Sequence, residues 1–139
     1  MKGFVLTFAF VVTFAGFLRW RLPNNPVMAA APTQTATKLT VGPELEIATD
    51  TLAIIRWTTT NPGGTDLHFG IVRYGTSPTR LSQVAKSPNR RNPSHPDMIF
   101  RVRIMGLESK TRYYYTVTSE GAKGTNDGVT SRVNFFTTQ

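Results

Sequence analysis

The chain has 139 residues, with sixteen basic and eight acidic side chains, a net charge of +8 and no cysteine. That length holds one domain of ordinary size plus a short extension, and the missing thiols exclude disulfides, thiolate metal sites and a thiol nucleophile. The basic excess favours acidic surfaces as partners, yet it specifies no fold and does not make a nucleic-acid binder.

Lys2 precedes an apolar run from Gly3 to Leu18, and Ala29-Ala30-Ala31 follows later. Residues 1–31 therefore read as a secretory signal peptide. Arg19 and Arg21 close the run where a signal peptide would be neutral, a layout that an uncleaved N-terminal anchor helix also fits. Sixteen residues fall short of the roughly 20 that cross a bilayer as a helix, so cleavage is the simpler reading. It predicts a secreted, periplasmic or extracellular domain; without cleavage, this segment alone would attach the chain to a membrane. Removing Lys2, Arg19 and Arg21 leaves thirteen basic against eight acidic side chains, about +5. Residues 32–39, rich in Thr, Pro, Ala and Gln, read as a flexible linker, and residues 40–138 as the folded domain.

From there, short apolar runs alternate with turn signals, the pattern of an all-β fold. A first strand is expected over 41–48, at an edge that tolerates Pro43, and a second over 52–58. After the Asn61-Pro62-Gly63-Gly64 turn, a third covers 68–75. Residues 81–86 suggest a short connecting strand, and three prolines are expected to keep 87–96 irregular. Residues 98–105 alternate cleanly, with Phe100, Val102 and Ile104 on one face and Arg101 and Arg103 on the other. Strands over 111–119 and 129–137 complete the set, joined by a hairpin turn at Asn126-Asp127-Gly128. Before the first of these two, Gly106-Leu107 and a polar turn lead into Thr111-Arg112-Tyr113. That spacing lets the Tyr113 phenol bond back to the turn, as at the tyrosine corner of immunoglobulin-like sandwiches. The two-residue repeat assigns inward rows to Ala53, Ile55 and Trp57, to Val72 and Tyr74, to Tyr113, Tyr115 and Val117, and to Val133 and Phe135, with Leu107 as the anchor of the corner. Each large apolar side chain buried there contributes roughly 1.5 to 3 kcal/mol.

Trp57 on the second strand, Tyr74-Gly75 closing the third, and Gly106-Leu107, Thr111, Tyr113 and Val117 around the corner resemble a fibronectin type III domain. That resemblance implies a seven-stranded antiparallel sandwich of immunoglobulin-like form. More narrowly, Ile55-Arg56-Trp57-Thr58-Thr59, Val72-Arg73-Tyr74-Gly75-Thr76, the Tyr113-Tyr114-Tyr115 triplet and Phe136-Thr137-Thr138 resemble the N-terminal sandwich of purple acid phosphatases, over roughly 41–138. In that family a separate catalytic domain binds two metal ions through Asp, Asn, His and Tyr and hydrolyses phosphate esters. Its Gly-Asp, Gly-Asn-His and Gly-His-x-His elements have no match in this sequence. The resemblance thus implies a module without catalytic residues, metal ligands or cofactor, and any acid phosphatase activity would belong to the other domain.

The residues themselves point the same way. His68 and His95 are the two histidines, both expected at the surface, and Ser94 beside His95 is no dyad, because sequence neighbours rarely present side chains to each other. The acids are scattered singly, except that Glu44 and Glu46 share a strand face; this suits either a cation or, more simply, a charge-protected edge. Gly121, Gly124 and Gly128 lack the helix that a phosphate loop requires.

Two surfaces remain as candidates for contact. Arg56, Arg101 and Arg103, beside Leu52 and Ile54, would present forked donors to carboxylates or phosphates such as an anionic cell-surface glycan, or form an ordinary solvated face. On the other sheet Phe69, Ile71, Tyr114 and Phe136, with Arg73, Arg112 and Arg132, are expected outside, where aromatics suit another protein or domain first and a sugar second. Arg90-Arg91 with Lys86 lacks interleaved aromatics, so no nucleic acid is expected. The function anticipated is an exported, non-catalytic module for protein or cell-surface contacts. The alternatives are an accessory or truncated phosphatase sandwich and, more weakly, a carbohydrate-binding domain.

Overall fold

Alternating apolar and polar residues give each segment one dry face as a strand, and such faces must close on one another. In the computed structural model, which describes residues 37–139, they close as two antiparallel sheets. β1 (Leu39–Ala48), β2 (Leu52–Thr60) and β5 (Asp97–Met105) form one, in the order β1-β2-β5. In the other, β4 (Gln83–Arg90), β3 (Leu67–Gly75) and β6 (Arg112–Gly121) lie side by side. β7 (Asn126–Thr130) and β8 (Asn134–Thr137) share the remaining edge of β6. With β7 and β8 taken as one interrupted strand, the layout is the expected seven-stranded all-β sandwich. The leader or anchor expected over 1–31 lies outside the described residues, as does most of the linker.

Between the sheets lie Ala53, Ile55 and Trp57 of β2, Met98, Phe100, Val102 and Ile104 of β5, Val72 and Tyr74 of β3, and Tyr113, Tyr115 and Val117 of β6, with Leu107. Trp57 stacks on its cross-strand partner Phe100, 5.2 Å between ring centroids. The facing sheet accommodates this pair at Gly70, where a Cβ would come within 3.0 Å of Trp57 Cη2, Phe100 Cδ1 and Val102 Cγ2. A Cβ there would require those three side chains to give way by a few tenths of an ångström. At the corner, the Glu108 N–H donates to the Tyr113 phenol oxygen at 3.0 Å. Thr138 Oγ1 accepts the Thr111 N–H at 2.9 Å and donates to the Glu108 carbonyl at 2.6 Å, so the chain end is stitched beneath the same turn. Burial, then the Glu44 carboxylate, pushes the Tyr115 phenol up to about 12, and burial followed by Tyr113 raises that of Tyr74.

Three expectations about the strands need correction. Val133 and Phe135 are not core residues: they are 48% and 60% exposed, whereas Phe136, expected outside, is buried against Tyr113 and Tyr115. The inward parity of Val129 and Ser131 breaks between Ser131 and Asn134. There the Ser131 hydroxyl oxygen takes the Val117 N–H at 3.0 Å, and the ladder resumes with Tyr113 opposite Phe136. A one-residue shift exchanges the faces of everything that follows. Residues 87–90 belong to β4 rather than to an irregular segment, with Pro88 opposite Phe69. β4 is an edge strand, and an edge tolerates a residue without an N–H. Asn126-Asp127-Gly128 lies within β7, and the chain turns earlier, where the Gly124 N–H donates to the Gly121 carbonyl at 2.9 Å.

Candidate interaction surfaces

At the end of the sandwich away from the tyrosine corner, β3 starts next to the end of β6, with His68 opposite Gly121. His68 is buried, not at the surface as expected, because it shares the inward parity of Gly70, Val72 and Tyr74. Its Nδ1 lies 3.0 Å from Asp127 Oδ2, and its Nε2 is 2.9 Å from the Thr65 carbonyl and 3.2 Å from that of Gly63. Carbonyls only accept, so Nε2 is the donor to the loop, while Nδ1 faces the Asp127 carboxylate. Both ring nitrogens are therefore engaged. Neither is free to bind a metal or to move a substrate proton, although a cavity of about 150 Å³ adjoins the pair. The ring instead ties the loop after β2 to β7. Strand parity extended back from Tyr74 through Val72 is the signal that places His68 inside; Asp127, 59 residues away, carries no such signal.

His95 is exposed, with Nδ1 3.2 Å from the Asp97 N–H nitrogen. Among the described residues, no group of three or more His, Asp or Glu side chains is arranged to hold a metal ion. Glu44 and Glu46 are each matched to an arginine, which answers their charge without a cation.

That pairing shapes the first arginine surface. β2 and β5 place Arg56 opposite Arg101 and Ile54 opposite Arg103 on one outer face. Arg56 Nη1 donates to Glu44 Oε1 at 2.8 Å and Arg101 Nη2 to Glu46 Oε1 at 2.6 Å. Two of the three forks are thus occupied, and Arg103 is left without an acidic partner among the described residues.

On the outer face of the five-stranded sheet, Phe69 and Ile71 are half-buried, opposite Pro88 and Lys86 of β4. The Lys86 ammonium sits 4.2 Å above the Phe69 ring and pairs with Glu120, covering that aromatic with charge. Further along, Tyr114 is opposite Phe135, their centroids 6.4 Å apart, and the Arg112 guanidinium lies 5.0 Å from the Phe135 ring. Phe135 thus takes the exterior place expected of Phe136. A cation beside an aromatic ring and a tilted ring pair give these exposed side chains contacts with one another.

Solved structures of similar shape include two of the sensor domain of the anti-sigma factor RsgI4 from Pseudobacteroides cellulosolvens, in a longer and a shorter form. The longer form is 20% identical with a TM-score of 0.50, the match covering 73% of this chain and 88% of that one. The shorter form is 22% identical with a TM-score of 0.52, covering 75% and 95%. At such identities the likeness is one of fold. No curated protein matches the sequence. The family model for the purple acid phosphatase N-terminal domain matches residues 30–138.

Proposed function

We propose, since the chain belongs to the purple acid phosphatase N-terminal domain family, that it is an exported, non-catalytic sandwich module that contacts another protein through the outer face of its five-stranded sheet. The observation that carries this reading is Phe135, 60% exposed on a regular strand and in contact with Tyr114 and Arg112. A large apolar ring kept in water is the kind of anchor that protein interfaces use. Removing it should leave the fold intact and abolish contact. Phe135→Ser in the full chain is expected to keep the wild-type unfolding midpoint and lose binding of an apolar dye. Unchanged dye binding by this variant, or no dye binding by the wild type, would remove the reading.

The family supports a second reading: the sandwich packs on a metallophosphoesterase domain, to which the phosphatase chemistry belongs. Under either reading the purified chain, supplied with iron, zinc or manganese, should not hydrolyse a phosphate ester. Metal-dependent turnover would refute both.

A further inference from the structure

A sandwich of this kind has sheet edges whose unpaired N–H and C=O groups invite another strand, and proteins blunt such edges with prolines, bulges or breaks. Three edges here carry such a device. β1 has register shifts on both sides of Gly42-Pro43, β4 contains Pro88, and the edge formed by β7 and β8 is interrupted between Thr130 and Asn134. β5 has no proline, bulge or break: it pairs with β2 through nine consecutive residues without a shift, and among the described residues no strand pairs with its other side. Its protection there is charge, from Arg101 and Arg103, and the Asn89 side chain of β4 on the Ile99 carbonyl.

Which main-chain groups face that open side follows from two contacts. Asn89 Nδ2 donates to the Ile99 carbonyl at 2.5 Å, and His95 Nδ1 lies 3.0 Å from the Asp97 carbonyl oxygen and 3.2 Å from its nitrogen. In an antiparallel strand alternate residues direct both main-chain groups the same way. Asp97 and Ile99 point to the open side, so Arg101, Arg103 and Met105 do as well, and for these three no partner is present among the described residues. Beside them a cavity of about 270 Å³ is lined by Arg101, Arg103, Ile54, Glu46 and Ser87 of β4. Of the outward side chains on this stretch, Met105 is apolar and Arg101 is paired with Glu46, so Arg103 is the cation left without a carboxylate among the described residues.

We infer that the open edge of β5 docks an extended acidic peptide. The peptide would pair main chain to main chain with residues 101–105 and set one carboxylate against Arg103, the alternate one competing with Glu46 for Arg101. The chain itself is a poor source of such a strand. Residues 1–36 contain no Asp or Glu. Its one alternating pair, Glu44 and Glu46, is engaged with Arg56 and Arg101 on the bulged β1. The occupant is therefore an acidic segment from outside residues 1–139, taken up by strand addition, with the backbone supplying affinity and the arginines supplying selection. This site is separate from the Phe135 face, so either can fail without the other.

The test uses the full chain and a synthetic peptide of about ten residues alternating glutamate with threonine. Amide exchange should slow at Arg101, Arg103 and Met105 on binding and stay unchanged at Val102 and Ile104, which already pair with β2. Arg101→Gln/Arg103→Gln should weaken binding about tenfold or more, whereas Lys38→Gln/Arg80→Gln, which removes equal charge elsewhere, should not. Arg103→Pro deletes the edge-facing N–H and should abolish binding; if it does not fold, the glutamine pair and the exchange pattern decide. Equal affinity for a peptide with its glutamates grouped in one block would overturn the proposal. So would binding without protection at the three amides, or self-association of the chain through β5 in place of peptide uptake.

Discussion

The two ends of the sandwich are secured by different chemistry. At the corner end, neutral hydrogen bonds suffice: the Glu108 N–H on the Tyr113 phenol, five residues apart, and the Thr138 hydroxyl, from just beyond the last strand, between Glu108 and Thr111. At the other end, a buried histidine of β3 joins a buried carboxylate of β7, 59 residues away, to the carbonyls of the loop after β2. A neutral bond can be deleted at the cost of one interaction. A buried ionisable group stripped of its partner retains the full desolvation penalty, so its loss is larger.

The sharpest way to break this comparison is Asp127→Ala. It should lower stability by about 3 kcal/mol, because His68 stays buried without a carboxylate, whereas Asp127→Asn, which keeps a hydrogen-bonding group there, should cost less than half of that. Chemical unfolding of both variants checks this, and equal midpoints would mean that the pair contributes no more than packing.

Next in size is an alkaline effect on the core phenols. Tyr115 holds its proton up to about pH 12 in the native state, while the unfolded chain releases it near 10. Between those values the unfolded state binds fewer protons, so this contribution is intact below pH 10 and is lost as pH rises toward 12. The loss is on the order of 2 kcal/mol. Tyr74 acts with the same sign. Denaturant titrations on either side of pH 10 should show the fall, and Tyr115→Phe should flatten it; an unchanged slope in that variant would assign the effect elsewhere.

Tyr113→Phe should cost about 1 kcal/mol, the value of one neutral hydrogen bond, and speed amide exchange at Glu108. A loss as large as that of Asp127→Ala would erase the distinction between the ends. The smallest change is expected for Arg56→Gln. Its pair with Glu44 is 33% and 49% exposed, and such surface pairs contribute less than about 1 kcal/mol. A thermal midpoint indistinguishable from wild type is the expected result.

Strand alternation and the corner spacing were enough to read the apolar inward residues of β2, β3, β5 and β6, because each depends only on neighbours two to five positions away; His68, inward on the same parity of β3, was expected at the surface. The same rule misplaces Phe135 and Phe136. A single interruption after Ser131, where a side-chain hydroxyl takes the Val117 N–H, inverts the parity that the rule assumes. Pro88 misleads for a related reason: proline excludes a central strand but not an edge, and edge position is a property of the assembled sheet.

The candidate surfaces were legible as residue types and not as sites. Arg56, Arg101 and Arg103 do share one face, yet only folding sets Glu44 and Glu46 against two of them and leaves Arg103 beside an unpaired edge. His68 and Asp127 stand 59 residues apart. The amino-acid order by itself determined the strand class, the corner and most of the core, since period and turn chemistry are local properties. Partners, edges and the final register were decided by tertiary structure, because each depends on which distant segment arrives alongside.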